Sequence, residues 1–445
     1  MIRKEWKDRI AAAEDRIAAA AEEMSTWLWS HPEISDQEFG ASRYLADKAA
    51  KKGFRVTLPF AGLETAFLAE FTIGADTAAA GAGAAAQGAA PAADAGAPGG
   101  PSFPGHIPTA AFLAEYDALP GYGELSPDGS GNGHACGHNW IAASAFAAAV
   151  TLKETLEELA AENPGLKARV LLVGTPAEET WGGKIKMAED GAFRALGIDA
   201  AFECHLSGAP GFCVENYMLA CTDIIYTFHG KASHASAHPE NGINALDAVN
   251  LTYAGISCLR QHLRPASKMH GIVVEGGQAC NIVPDHTVMQ FYARSAKRDY
   301  LETVIEKMNN CARGAALMTG CTVDIERNRY TFADMRNNGP LMQSMRESME
   351  SFGITGFRKD DINTAVTGDI GNVSYEVPSL YAIFSTAEAG NGADIHEAGY
   401  LKITDSDYAH GLLHTAAKSM AAAALEIVTD EGVRRAVRAA FEAED

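Results

Sequence analysis

The chain has 445 residues, 47% of them hydrophobic and 21% charged, too many for one ordinary core, so two domains are the expectation. Its 57 acidic residues against 36 basic ones leave a net charge of -21, which argues against a nucleic-acid or anionic-membrane partner, since both need a basic footprint. The eight cysteines (136, 204, 213, 221, 258, 280, 311 and 321) follow no framework spacing and read as reduced thiols. No run is long enough to span a bilayer, and the charged N-terminus lacks a signal-peptide core, so the expectation is a cytoplasmic protein without a membrane partner.

In chain order, residues 4–29 predict a helix from their charge and Ala/Ile/Met spacing. "ASRYLADKAAKKGFRV" predicts a second helix stopping at Gly53 and feeding a strand, and "TAFLAEFTI" is strand-like. Residues 74–105, built from Ala, Gly and Pro, have nothing bulky to bury and predict a surface insertion without a catalytic part. Strand-like "TAAFLAEYDAL" then leads through a polar loop to "GNGHACGHN" and a long helix, with Asn139 as its expected N-cap. "ARVLLVGTPAEE" is a buried-type strand ending in two glutamates, "GGKIKMAEDGAFRALG" is helical, and "IDAAFECHLSG" is a short strand. Polar clusters at the ends of alternating strands and helices predict an open, mostly parallel α/β sheet with its site at the strand ends.

The texture changes between 219 and 332. "CTDIIYTFHGKAS" and "HTVMQFYARSAK" alternate like half-exposed antiparallel strands, and two amphipathic helices accompany them, in the order of a ferredoxin-like β-α-β-β-α-β module. α/β texture returns with "SLYAIFST" and a C-terminal helix. The parse is therefore a catalytic domain of residues 1–218 plus 333–445, with a smaller α+β domain, 219–332, inserted into it.

Four clusters at predicted strand ends can do chemistry: Cys136/His138, Glu178/Glu179, His205 and His396. Cys, His and Glu form a mixed N/O/S set suited to zinc or a similar divalent ion. Each histidine alone is more readily a structural residue than a ligand. Adjacent Glu178 and Glu179 cannot point the same way, so one can bind metal while the other serves as general base; otherwise they are an exposed acidic turn. Cys136, just ahead of a helix, could instead be a nucleophile with a histidine base. The glycines around it read as allowing the loop to turn tightly.

Together, "HACGHN", "GTPAEETWGGK", "HGKASHASAHPENGINALDAV", "GGQACNIVPD" and "YAR" resemble the M20 metallopeptidase family in its amidohydrolase branch. "FLAEYDALPG" and "GDIGNVSYEVP" narrow the likeness to its dipeptidases and its members similar to aminobenzoyl-glutamate hydrolase. The resemblance runs from "SHPEISDQEFG" to the C-terminal helix.

It implies a metal-dependent amidohydrolase with two divalent ions per subunit, zinc or manganese. Cys136 would stand where other branches have a bridging aspartate, with His138, Glu179, His205 and His396 as further ligands. Glu178 would be the general base and Asp117 a support behind the ligands. The inserted domain would mediate a homodimer, with His234 reaching a neighbouring protomer's site to stabilise the oxyanion. Asn281 and Arg294 would hold the substrate's carboxylate or carbonyl. The substrate would be a small N-acyl amino acid or dipeptide. Two rivals stand beside this: a non-catalytic binder of the same fold, and a Cys/His amidase.

Overall fold

The computed structural model describes residues 3–74, 106–389 and 392–443. It opens with α1 (Lys4–Asp15), α2 (Ala18–Ser30) and α3 (Phe39–Lys51), then β1 (Arg55–Thr57), β2 (Phe67–Ile73) and β3 (Thr109–Ala114). A small ladder of β4 (Leu119–Pro120) and β5 (Asn132–Gly133) leads to α4 (His138–Glu162). After it come β6 (Ala168–Gly174), α5 (Gly183–Glu189), α6 (Ala192–Ala195) and β7 (Ala200–Ser207). A second group follows: β8 (Ala220–His229), α7 (Ala245–Leu259), β9 (Lys268–Glu275), β10 (His286–Ser295), α8 (Arg298–Thr319) and β11 (Thr322–Arg327). The chain closes with α9 (Gly339–Ser351), α10 (Ile370–Val373), β12 (Ser379–Ser385), α11 (Asp407–Thr429) and α12 (Glu431–Glu442).

The first sheet has the order β1-β2-β6-β3-β7-β12, with β6, β3, β7 and β12 parallel and β1 and β2 antiparallel at one edge. This is the open, mostly parallel sheet expected from the sequence. Every residue of β3 is buried, which is why the strand reads as an unbroken apolar run rather than an alternation. Helix α4 is buried from His138 to Leu152 without a break, as a helix hydrophobic on all sides must be. Its alanines let β3 and α11 approach closely.

The second sheet has the order β11-β8-β10-β9, wholly antiparallel. In its own sequence of strands this is 4-1-3-2, the ferredoxin-like arrangement. Its core is separate and includes Ile224, Tyr226, Phe228, Phe291 and Met308.

Three local expectations differ. The predicted first helix breaks at Arg16–Ile17, because Arg16 turns to bond Glu154 and Glu158 of α4 while Ile17 enters the core. Tertiary contacts override local propensity there. The "GGKIKMAEDGAFRALG" helix is two short ones parted at Gly191, whose φ is 71°. Asn139 is not the N-cap of α4: Gly137 holds that position with φ 97°, and the Asn139 amide bonds Ser25 Oγ and the Thr404 carbonyl instead. The Ala/Gly/Pro insertion expected at 74–105 lies, from residue 75 on, outside the described residues.

Candidate metal centre

The C-terminal ends of β3, β6 and β7 open onto one crevice, where an α/β sheet of this kind carries its site. Two glycines shape the "GNGHACGHN" turn that enters it. Gly137 has a left-handed φ, and a Cβ on Gly133 would stand 2.4 Å from Leu401 Cδ2. The tight turn expected of this stretch is present.

Cys136, His138 and His205 bring ligand atoms within 4.8 Å of one another, and so do Cys136, Glu179 and His396. The thiol belongs to both groups. Cys136 Sγ lies 3.4 Å from His205 Nε2. The other nitrogen of each buried imidazole is already engaged: His138 Nδ1 is 2.8 Å from Asp117 Oδ1, and His205 Nδ1 donates to the Leu206 carbonyl. Such anchoring turns both Nε2 atoms toward the crevice, as in metal-ligating histidines. His138 Nε2 and Glu179 Oε1 are buried without a hydrogen-bond partner among the described residues, so the donor set fits a cation.

Glu178 and Glu179 both bring an oxygen within 4.8 Å of the His138 imidazole and of each other, and differ in what else they meet. Glu179 stands 3.7 Å from His138 Nε2 and 3.5 Å from His396 Nε2. Glu178 points toward Glu115 and Asp369, its nearer oxygen 4.0 Å from His138 Nε2. Ala177, just before the pair, has φ 61°, and its N–H is held by Glu38 at 2.8 Å. His396 also sits at positive φ, 69°, fixed by its N–H to the Ala135 carbonyl and by Tyr122 bonding its own carbonyl. Backbone strain of this kind is held only where surrounding contacts impose it.

The electrostatics are those of a site with surplus negative charge. Burial, with Glu115, Glu179 and Asp369 nearby, pushes the Glu178 carboxyl well above its usual range. Burial pulls the His138 imidazole down, but Cys136, Glu115 and Asp117 outweigh it and hold the group well above its ordinary value. His205 is pushed down by burial to about 4, leaving a neutral ring whose lone pair is available. Burial and Glu179 push the Cys136 thiol far up, the opposite of the electropositive setting that activates a nucleophilic cysteine.

A model of peptidase family M20/M25/M40 matches residues 111–412. The chain belongs to that family. Among similar proteins, the Xaa-Arg dipeptidase of Mus musculus is 33% identical over 99% of this chain and 92% of its own length. A p-aminobenzoyl-glutamate hydrolase component of Escherichia coli K12 is 28% identical over 80% of this chain and 66% of its own. The fold is shared with a dinuclear metal-binding peptidase of the M20 family from Bacillus subtilis, at TM-score 0.62 and 19% identity, covering 91% of this chain and 98% of that one. An aminobenzoyl-glutamate utilization protein from Klebsiella pneumoniae gives TM-score 0.63 and 18% identity over 93% and 97% of the two chains.

In this M20 hydrolase the remaining expected residues lie in and around the second sheet. Arg294, near the end of β10, donates to Thr367 Oγ1 at 2.7 Å. Thr367 lies two residues before Asp369, and a Cβ on the intervening Gly368 would be 3.5 Å from Glu178 Oε1. The Arg294 side is therefore the end of the second sheet near the crevice. His234 and Asn281 are elsewhere: both are exposed, His234 bridges to Ile282, and the Ala235 N–H bonds the Asn281 carbonyl. They flank the end of the sheet where His229 pairs with His286. From there to Arg294 is eight strand positions, roughly 26 Å at about 3.3 Å each. The chain thus gathers Cys136, His138, Glu178, Glu179, His205, His396 and Asp117, and leaves His234 and Asn281 apart.

Sequence reasoning missed five buried partners: Glu38, Glu115, Lys184, Glu203 and Asp369. A period-two signal for Glu115 exists in "LAEYD", since residues two apart in a strand share a face with Asp117. Lys184 carries no such signal, because lysine ordinarily reads as surface.

Proposed function

We propose that this chain hydrolyses the amide bond of a small dipeptide or N-acyl amino acid at a two-metal centre held by Cys136, His138, Glu179, His205 and His396. The observation carrying this is the pair of ligand groups that share the Cys136 thiol. When bound, divalent ions such as zinc or manganese supply Lewis acidity, polarising the amide carbonyl and acidifying the attacking water. Glu178, which faces His138 on one side and Glu115 and Asp369 on the other, takes the proton of that water and returns it to the leaving amine. Asp117 keeps the His138 ring oriented through Nδ1 and braces the Glu179 backbone by accepting its N–H at 3.0 Å.

Arg294 offers the planar fork that suits a substrate carboxylate, and its Nε has no partner among the described residues. His234 and Asn281 act from a second copy of the chain, whose oxyanion donor would contribute about 3–4 kcal/mol. The inserted unit, residues 219–332, supplies the pairing surface of that homodimer. Strand β9 supports this reading: it is a sheet edge with Ile272, Val273 and Val274 exposed by 63%, 43% and 58%, an apolar edge that free monomers avoid. A cytoplasmic location fits eight free cysteines, and no described helix is long and apolar enough to cross a membrane.

The likeness to Xaa-Arg dipeptidases makes dipeptides ending in Arg the first substrates to try. We expect β-alanyl and α-aminoacyl dipeptides ending in Arg or Lys to be cleaved faster than p-aminobenzoyl-glutamate by zinc- or manganese-loaded protein, measured as released amine. A metal-loaded preparation inert toward this whole panel would overturn the reading in favour of a binding protein of the same fold.

A further inference from the structure

Glu115 ends β3 beside the centre and takes no part in the ligand set above. Its Oε1 is gripped by the ammonium of Lys184, which also bonds Asp369 Oδ1 at 2.6 Å and lies 3.4 Å from Glu203 Oε2. Lys184 is completely buried, and its backbone N–H bonds Asp369 Oδ2 at 3.0 Å. One Glu115 oxygen is therefore spoken for and its direction fixed.

The other oxygen faces the site. Glu115 Oε2 has no hydrogen-bond partner among the described residues and lies 3.3 Å from His138 Nε2, which has none either. The two side chains are 3% and 0% exposed. Since His138 Nδ1 is directed at Asp117, a ring that donates from Nδ1 presents a bare lone pair at Nε2. A carboxylate oxygen and an imidazole nitrogen facing each other in a buried site need a cation between them, the ring's own proton when no ion is bound and a metal ion when one is. The separation matches one: two ligand atoms each about 2.1 Å from a tetrahedral ion stand roughly 3.4 Å apart.

We propose that Glu115 Oε2 is a further ligand of the metal ion bound at His138 Nε2, held to single-oxygen coordination by Lys184. This rests on the two-metal reading of the site. Lys184 then has a definite part: it is a positioning residue, compensating the buried carboxylates of Glu115, Glu203 and Asp369 while aiming one oxygen at the ion. Its buried charge is otherwise hard to account for, since an internal ion pair rarely stabilises a fold by itself.

The test uses the full chain in two forms. In a crystal structure of metal-loaded wild type, located by anomalous scattering at the metal edge, Glu115 Oε2 is expected about 2.0–2.2 Å from an ion. Glu115→Gln is expected to weaken one of the two ions more than about 100-fold in a chelator competition, beyond the 10–100-fold typical of losing a group behind the ligands. Glu115 Oε2 lying more than about 3 Å from every ion overturns the proposal, as does wild-type affinity for both ions in the variant. A wild type that binds no ion contradicts the two-metal reading itself, which keeps the two failures apart. If Glu115→Gln does not fold, the wild-type structure decides alone.

Discussion

Glu178→Gln is expected to lower kcat by about 100- to 10,000-fold on any dipeptide the wild type cleaves, the range a positioned general acid–base supplies. The same protein should keep both ions, because Glu179 serves both His138 and His396 even without Glu178, which is shared with Glu115 and Asp369. Glutamine preserves volume and one acceptor but cannot carry the water's proton to the leaving amine. Steady-state kinetics and metal analysis on one sample check both halves. Undiminished turnover would remove Glu178 from the mechanism. Loss of turnover together with an ion would make it a ligand instead.

Cys136→Ser is expected to lose at least one ion and nearly all activity, because the thiol lies within reach of His138 and His205 on one side and of Glu179 and His396 on the other. A ligating cysteine must be a thiolate, whereas burial and Glu179 keep the free thiol protonated. Bound metal should therefore shield Cys136 from alkylation, while the exposed Cys258 and Cys280 react in either state and serve as internal controls. Peptide mass spectrometry after iodoacetamide treatment reads this directly. A Cys136→Ser protein with its metal and its rate intact would show that Cys136 is neither ligand nor nucleophile. The Cys/His amidase reading has one point in its favour, the 3.4 Å approach of Cys136 Sγ to His205 Nε2. The surrounding carboxylates oppose it, since they disfavour the thiolate such an enzyme needs.

Much of the centre was legible because chemistry and fold coincide there. The buried strand before Glu178, the one carrying His205 and the glycine-shaped turn at Cys136 each place polar groups at the end of an apolar run. Even His396, whose surroundings are the least distinctive, reaches the site at 3.5 Å from Glu179. What escaped sequence reasoning depends on tertiary contacts. The Arg16–Ile17 break is set by partners on α4, more than 130 residues away. Asn139 looks like a helix cap because Asn usually caps, yet its amide is claimed by Ser25 and Thr404. Lys184 and Glu203 are charged residues in a completely buried place, which local pattern predicts for neither. His234 and Asn281 are exposed beyond the far end of the second sheet, so their proposed part in the reaction depends on the proposed second copy of the chain.

The central claim is that one shared thiolate and its neighbours hold two ions that this hydrolase needs for amide cleavage. It is tested most directly by measuring metal content and dipeptide turnover on the same sample before chelation, after it, and after reloading with zinc or manganese. Two ions per chain, activity lost with them and regained on their return, is the result expected. Turnover that survives complete removal of metal would contradict it.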